Sequence, residues 1–128
     1  IYVGEIMLEV DELDITPNQL RRNGTSPNIM AVVRFPQGIL KSDIDENDQP
    51  ELYYQDRDSG DFILIGEGRQ IISGTENSPG IRVVFNRAEL MDALYGYGEF
   101  TLRVGGALKS GRTYFGEATI LVTRFAGD

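Results

Sequence analysis

The sequence predicts an all-β fold, an antiparallel β-sandwich of seven to nine strands with one short helix at about residues 87–94. Three observations predict it. Short apolar stretches alternate with polar positions at the two-residue period of a half-buried strand. Turn residues recur between them, with fifteen Gly and five Pro scattered along the chain. One segment only shifts to the helical period, and it opens with a capping signature. A chain of 128 residues falls in the size range of one domain, so residues 1–128 are read as one β-sandwich.

The elements follow in order. Residues 1–10 alternate from Gly4 onward, with Ile6, Leu8 and Val10 on one face and Glu5, Met7 and Glu9 on the other, which is a strand with one wet face. Thr16, Pro17 and Asn18 make a turn. After the polar stretch from Arg21 to Pro27, the run from Asn28 to Phe35 is apolar on both faces apart from Arg34 and suits a central strand. An acidic loop follows, with a short strand at Glu51 to Gln55. A strand from Asp61 to Ile65 is expected to continue past Gly66 and Gly68 into Arg69 to Ile72.

Gly74 to Gly80 is turn chemistry, and Ile81 to Phe85 enters the core as a strand. Asn86 is a good helix N-cap and Glu89 stands three residues on, the spacing at which the two side chains satisfy free amides of the first turn. Leu90, Met91 and Leu94 then share a face, and the turn from Tyr95 to Gly98 ends the helix. Phe100, Leu102 and Val104 alternate with Thr101 and Arg103 in a half-buried strand, with Gly105 and Gly106 expected as a β-bulge. Ser110 and Gly111 read as a two-residue hairpin turn, after which Ala118, Ile120 and Val122 face the core.

Composition limits the chemistry. There is no His, Cys or Trp, so the commonest general base, the commonest metal ligands and the thiol nucleophile are missing, and no enzyme is expected. The net charge of −8 is uneven: residues 1–64 carry thirteen acids and five bases, residues 65–128 seven of each. The acids crowd between Asp43 and Asp61, a segment that repels nucleic acid and anionic membranes. No run reaches the length of a membrane-spanning helix, so neither nucleic acid nor membrane insertion is expected. Opening on Ile rather than Met, the sequence reads as a mature form after removal of a leader or as a piece of a longer chain, and both fit export.

The segments IRVVFNRAELMDAL and YGYGEFTLRVGGALKSGRTYFGEATILV, between Ile81 and Val122, carry a resemblance. They are similar to an immunoglobulin-like or cohesin-like β-sandwich module that recurs, often in tandem, in secreted and surface proteins of bacteria and archaea. Upstream, ITPNQLRRNGTSPNIMAVVRFPQG, between Ile15 and Gly38, resembles that module's opening turn and long strand. The resemblance implies immunoglobulin-like topology and a place outside the cell or on its surface. Members commonly carry an Asp-rich turn before the strand matching Ile81 to Phe85. Here the turn from Gly74 to Gly80 has no Asp, so no calcium role is expected there.

Five constellations in the sequence bear on function. Asp43, Asp45 and Asn47 have the alternate spacing of an oxygen-ligand calcium loop, and Asp56, Asp58 and Asp61 around Gly60 offer a second cluster. Asp48 stands where the EF-hand needs Gly, and Tyr54 where it needs Glu, so only an irregular site would serve; a solvated acidic loop is the plainer reading. Calcium is the one cofactor these residues would take. Carboxylate pairs for glycoside hydrolysis lack Trp platforms, whereas Tyr53, Tyr54, Tyr95, Tyr97 and Tyr114 would serve carbohydrate binding or simply pack at the rim. The glycine pairs at 66 and 68, 96 and 98, and 105 and 106 lack the Lys and Ser/Thr of a phosphate loop and read as turns and bulges. Lys41 and Lys109, the only lysines, are candidates for a side-chain cross-link, although each has an ordinary solvated or charge-paired reading.

The fifth is assembly. A strand at residues 1–10 can be added to a neighbour's sheet edge as readily as to its own, because the same amide and carbonyl row is offered in either case. In a neighbour's groove, Ile6, Leu8 and Val10 would supply the apolar face, and Gly4 would allow close backbone approach. The expectation is therefore an extracellular structural protein, a self-assembling subunit of a pilus-like surface filament or coat, with copies of itself as partners. The alternative is an adhesion or carbohydrate-binding module of a larger cell-surface protein, stabilised by calcium, with surface polysaccharide as its partner.

Overall fold

The computed structural model describes residues 8–22, 24 and 26–123. The first strands in chain order are β1 (Leu8–Glu9), β2 (Glu12–Thr16), β3 (Gln19–Arg21) and β4 (Asn28–Arg34). A single 3-10 turn, Lys41–Asp43, precedes β5 (Glu51–Gln55), β6 (Phe62–Glu67), β7 (Arg69–Thr75) and β8 (Ser78–Asn86). The helix α1 (Arg87–Ala93) then leads into β9 (Gly98–Ala107) and β10 (Thr113–Thr123). The fold is mostly β, two sheets and one α-helix, the layering of a β-sandwich. Ten strands are described where seven to nine were expected; the short β1, β2 and β3 divide a stretch read as one strand and a turn.

The first sheet runs β1-β10-β9-β5-β6, with β3 pairing farther along β10 than β1 does; the second runs β2-β4-β8-β7. β4 is central, as its apolar run predicted, but it buries one face only: Ile29, Ala31 and Val33 are sealed while Met30 is exposed. Inward rows from both sheets make the core, including Ile81, Val83 and Phe85 of β8, Leu102 and Val104 of β9, and Ile120 and Val122 of β10. Burying a side chain of this size is worth about 1.5–3 kcal/mol, so the alternation that predicted the strands is also what holds the layers together.

Three expectations are corrected. Asp61 to Ile72 is not one strand. β6 and β7 belong to different sheets, and the chain crosses between them at Gly68, whose N–H donates to the Pro50 carbonyl (2.8 Å). Gly105 and Gly106 make no bulge: β9 pairs with β10 in unbroken register through both. The bulge lies between β5 and β6, where Leu52 pairs with Gly66 and Tyr53 with Leu64, leaving Ile65 as the extra residue. The β9–β10 turn is longer than two residues. The Leu108 N–H bonds the Arg112 carbonyl (2.8 Å), so Lys109, Ser110 and Gly111 form a three-residue loop with Gly111 left-handed at φ 90°.

The helix forms as its sequence dictates. The Asn86 side chain accepts from the Glu89 N–H at 3.0 Å, and Leu90, Met91 and Leu94 are buried. Arg87, the one buried charged residue among those described, donates to the carbonyls of Gly24 (2.6 Å) and Arg21, tying the segment after β3 to the helix start.

At the start of the described chain the sheets exchange strands. β1 runs parallel to β10, with Leu8 opposite Tyr114 and Glu9 opposite Phe115, and the Val10 N–H bonds the Phe115 carbonyl (2.8 Å). One residue later the Asp11 N–H bonds the Arg34 carbonyl (2.9 Å), and β2 continues antiparallel to β4 in the other sheet. β3 then returns to β10, again parallel. These two parallel pairings depart from the wholly antiparallel expectation.

Candidate functional site

Strand register brings Glu117 of β10, Arg103 of β9 and Tyr53 of β5 into one row on the outer face of the first sheet. The Arg103 guanidinium stacks on the Phe62 ring (3.9 Å to its centroid) and the Phe115 ring (4.8 Å), and it donates to Glu117 Oε2 at 2.6 Å. Its charge is thus held against the faces of two rings and paired with a carboxylate at one end. Beside it the Tyr53 hydroxyl donates to Glu51 Oε1 (2.7 Å); burial, with the Glu51 carboxylate, pushes that phenol up to about 12.

Next to this row lies a cleft of about 460 Å³, lined by Asp48, Glu51, Tyr53, Phe62, Arg103 and the backbone at Gly105 and Gly106. Gly106 is needed here for space. A Cβ on it would lie 2.4 Å from the Tyr114 hydroxyl and 2.5 Å from Asp48 Oδ2. Asp48 accepts from the Ala107 N–H (3.1 Å); burial pushes its carboxyl up, an effect the Ala107 hydrogen bond opposes and the Asp45 and Glu51 charges reinforce. Tyr114 is sealed in the core, edge-on to Phe35 at 4.9 Å, and its hydroxyl has no hydrogen-bond partner among the described residues. Burial, with Asp48 nearby, raises that phenol as well.

The cleft offers aromatic faces, two carboxylates and one neutralised guanidinium, which suits contact with hydroxyl-bearing or apolar groups better than attack on a bond. Of its lining, sequence reasoning named Tyr53 as a binding residue. Phe62, Arg103 and the role of Asp48 were missed, and the adjacent glycines at 105 and 106 were the available signal of a side chain crossing the strand.

The acidic-loop candidates are spread out and occupied locally. Asp43 Oδ2 accepts from the Leu40 N–H (2.8 Å), Asp45 Oδ1 from the Asn47 N–H (3.0 Å) and Asp56 Oδ1 from the Asp58 N–H (2.8 Å). The Asp61 carbonyl accepts from the Asp56 N–H (2.8 Å), closing the β5–β6 loop. No group of three or more Asp or Glu side chains placed to hold a metal ion occurs among the described residues. Lys41 Nζ donates to the Gly74 carbonyl (3.2 Å), and Lys109 is exposed in the hairpin loop. Tyr95 is exposed beside the helix end, and Arg22 approaches the Tyr97 ring at 5.7 Å. No described helix is long and apolar enough to cross a membrane.

The assembly residues divide. Gly4 and Ile6 lie outside the described residues. Leu8 packs against this chain's own core and Val10 is buried in it, each on the β10 edge of the first sheet. The opposite edge of that sheet is β6, where Ile63 and Leu64 are exposed.

Compared with known proteins, the chain matches no protein-family model and no curated sequence.

Proposed function

We propose that this chain is a non-enzymatic structural module of the cell exterior, of immunoglobulin-like topology, that builds linear assemblies by lending its first residues to a neighbouring copy. The register of β1 carries this reading. Leu8 stands opposite Tyr114, and β10 begins at Thr113. In that register position 7 is the first that a β10 residue, Thr113, could pair with, and the residues just before Thr113, Lys109 to Arg112, lie outside any strand. A neighbour's sheet edge would take up the amides and carbonyls of the alternating segment that the sequence places before Leu8.

Light scattering of the full chain in a calcium chelator, alongside intact-mass spectrometry, tests it. Large linear polymers are expected; a clean monomer at all accessible concentrations would sink assembly. Covalent multimers, or loss of water or ammonia from the intact mass, would bring Lys41 or Lys109 into play as a cross-link.

A second reading rests on the cleft beside Tyr53 and Phe62: an adhesion or carbohydrate-binding module of a larger surface protein. In that case the chain stays monomeric, and neutral oligosaccharide raises its thermal midpoint in a concentration-dependent way.

A further inference from the structure

We infer that the cleft beside Tyr53 binds an amino sugar through its free ammonium group; this rests on the second reading, the cleft as a carbohydrate site, and names the kind of sugar it takes. The cleft holds about 460 Å³, within the range of sites that take small molecules. Glu51 and Tyr53 stand two residues apart on β5 and so share the outer face of the first sheet. Opposite Glu51 the register places Gly105, so backbone rather than a side chain lines the cleft there. A Cβ on Gly105 would stand 3.9 Å from Tyr53 Cε1, in van der Waals contact, and glycine leaves that flank of the ring to another body. A sugar face laid against the tyrosine fits this space.

Charge selects among sugars. Asp48 and Glu51 both line the cleft, and neither belongs to an ion pair: among the described residues those are Arg34 with Glu12 and Arg103 with Glu117. Arg103, the one basic side chain of the lining, directs Nε and Nη2 at Glu117 Oε2 (3.2 and 2.6 Å) and rests against the Phe62 and Phe115 rings. The charges acting on Asp48 are those of Asp45 and Glu51, all of one sign. Glu51 uses Oε1 for the Tyr53 hydroxyl, and its Oε2 has no hydrogen bond among the described residues. A neutral sugar leaves this negative charge as it is. An ammonium group in place of one hydroxyl offsets it and makes a charge-assisted hydrogen bond, about twice as strong as a neutral one.

A further observation, independent of the acids, points to the same wall. Buried hydroxyls normally have a hydrogen-bond partner. The Tyr114 side chain is sealed from solvent, its hydroxyl has no partner among the described residues, and it ends at Gly106, the glycine that Asp48 also approaches. Gly106 and Asp48 both line the cleft, so a polar ligand atom seated at Asp48 would supply the partner that the protein does not. The body that carries the ammonium is a sugar rather than a hydrocarbon chain, because Gln49 and Thr113 add hydrogen-bonding side chains to the lining and a run of methylenes would use neither.

Calorimetric titration of the full chain with three tetrasaccharides tests this: chitosan tetramer, which has free amines; its N-acetylated form, chitin tetramer; and cellotetraose, which has hydroxyls in their place. At about pH 6, where primary amines are charged and ordinary carboxylates ionised, the chitosan tetramer should bind about tenfold or more tighter than the other two. Glu51→Gln and Asp48→Asn should each remove most of that preference. Asp14→Asn, which takes the same charge from the exposed side of β2 in the other sheet, should keep it. Circular dichroism checks that each variant is folded, and Glu51→Gln carries the test should Asp48→Asn fail to fold. Neutral tetramers that bind as tightly as the chitosan tetramer would overturn the ammonium inference and leave the carbohydrate reading standing, whereas no binding by any of the three would end both. A preference lost equally in Asp14→Asn would reduce it to diffuse attraction by an acidic surface, and one untouched by the folded cleft variants would put it elsewhere on the molecule. Tetralysine binding as tightly as the chitosan tetramer would remove the sugar from the assignment.

Discussion

Asp48 shows how one residue joins the acidic loop to the sheet. Its carboxylate receives the Ala107 N–H at the end of β9 and crowds the space that Gly106 leaves open, while burial and the charges of Asp45 and Glu51 disfavour its ionised form. A carboxyl raised in the folded state contributes stability that is complete below the ordinary carboxylate pKa and is lost as pH rises through the folded value. Asp48→Asn keeps an acceptor for Ala107 and carries no charge. Its thermal midpoint should therefore exceed that of the wild type at pH 7, and the gain should vanish below about pH 4, where Asp48 is protonated. An equal gain at both pH values would mean that the raised carboxyl is not the cause. Little of this was legible in the sequence, where Asp48 was one acid among eight between Asp43 and Asp61. What singles it out is a glycine fifty-eight positions later, and chain separation hides such a contact.

Elements were more legible than the paths between them. The helix, its Asn86 cap and the alternation in β9 and β10 depend on residues within a few positions of one another, so the sequence states them directly. β5 appeared at its expected bounds. The break between β6 and β7 was misread because apolar residues stand on both sides of Gly66 and Gly68, and nothing local says that the two halves enter different sheets. The cause is a tertiary contact: a Cβ on Gly68 would lie 2.6 Å from Val83 Cγ1 and 2.7 Å from Phe85 Cε1, both in the sealed core of β8. Gly68→Ala should then cost about 1–3 kcal/mol in urea denaturation, because neither neighbour has room to withdraw. The slope of the denaturation line should stay unchanged, since the surface exposed on unfolding is the same. A neutral result would show that the crossing can move away from β8.

At the scale of the whole molecule, opposed terms would set the proposed assembly. The chain carries a net charge of −8, and in a filament like-charged bodies must approach one another. The segment proposed to be lent is mostly apolar: among residues 1–7, Glu5 is the one charged side chain. Burial of apolar area does not weaken with added salt, whereas repulsion between the acidic bodies does, its reach shrinking from about 30 Å at 0.01 M to about 8 Å at 0.15 M ionic strength. The concentration at which polymers first form should therefore fall as sodium chloride is raised across that range, as read by light scattering at fixed pH. Assembly held by ion pairs between copies would respond in the opposite sense, with salt dissolving the polymers. That outcome would mean that charged surfaces, rather than an apolar strand, join the copies.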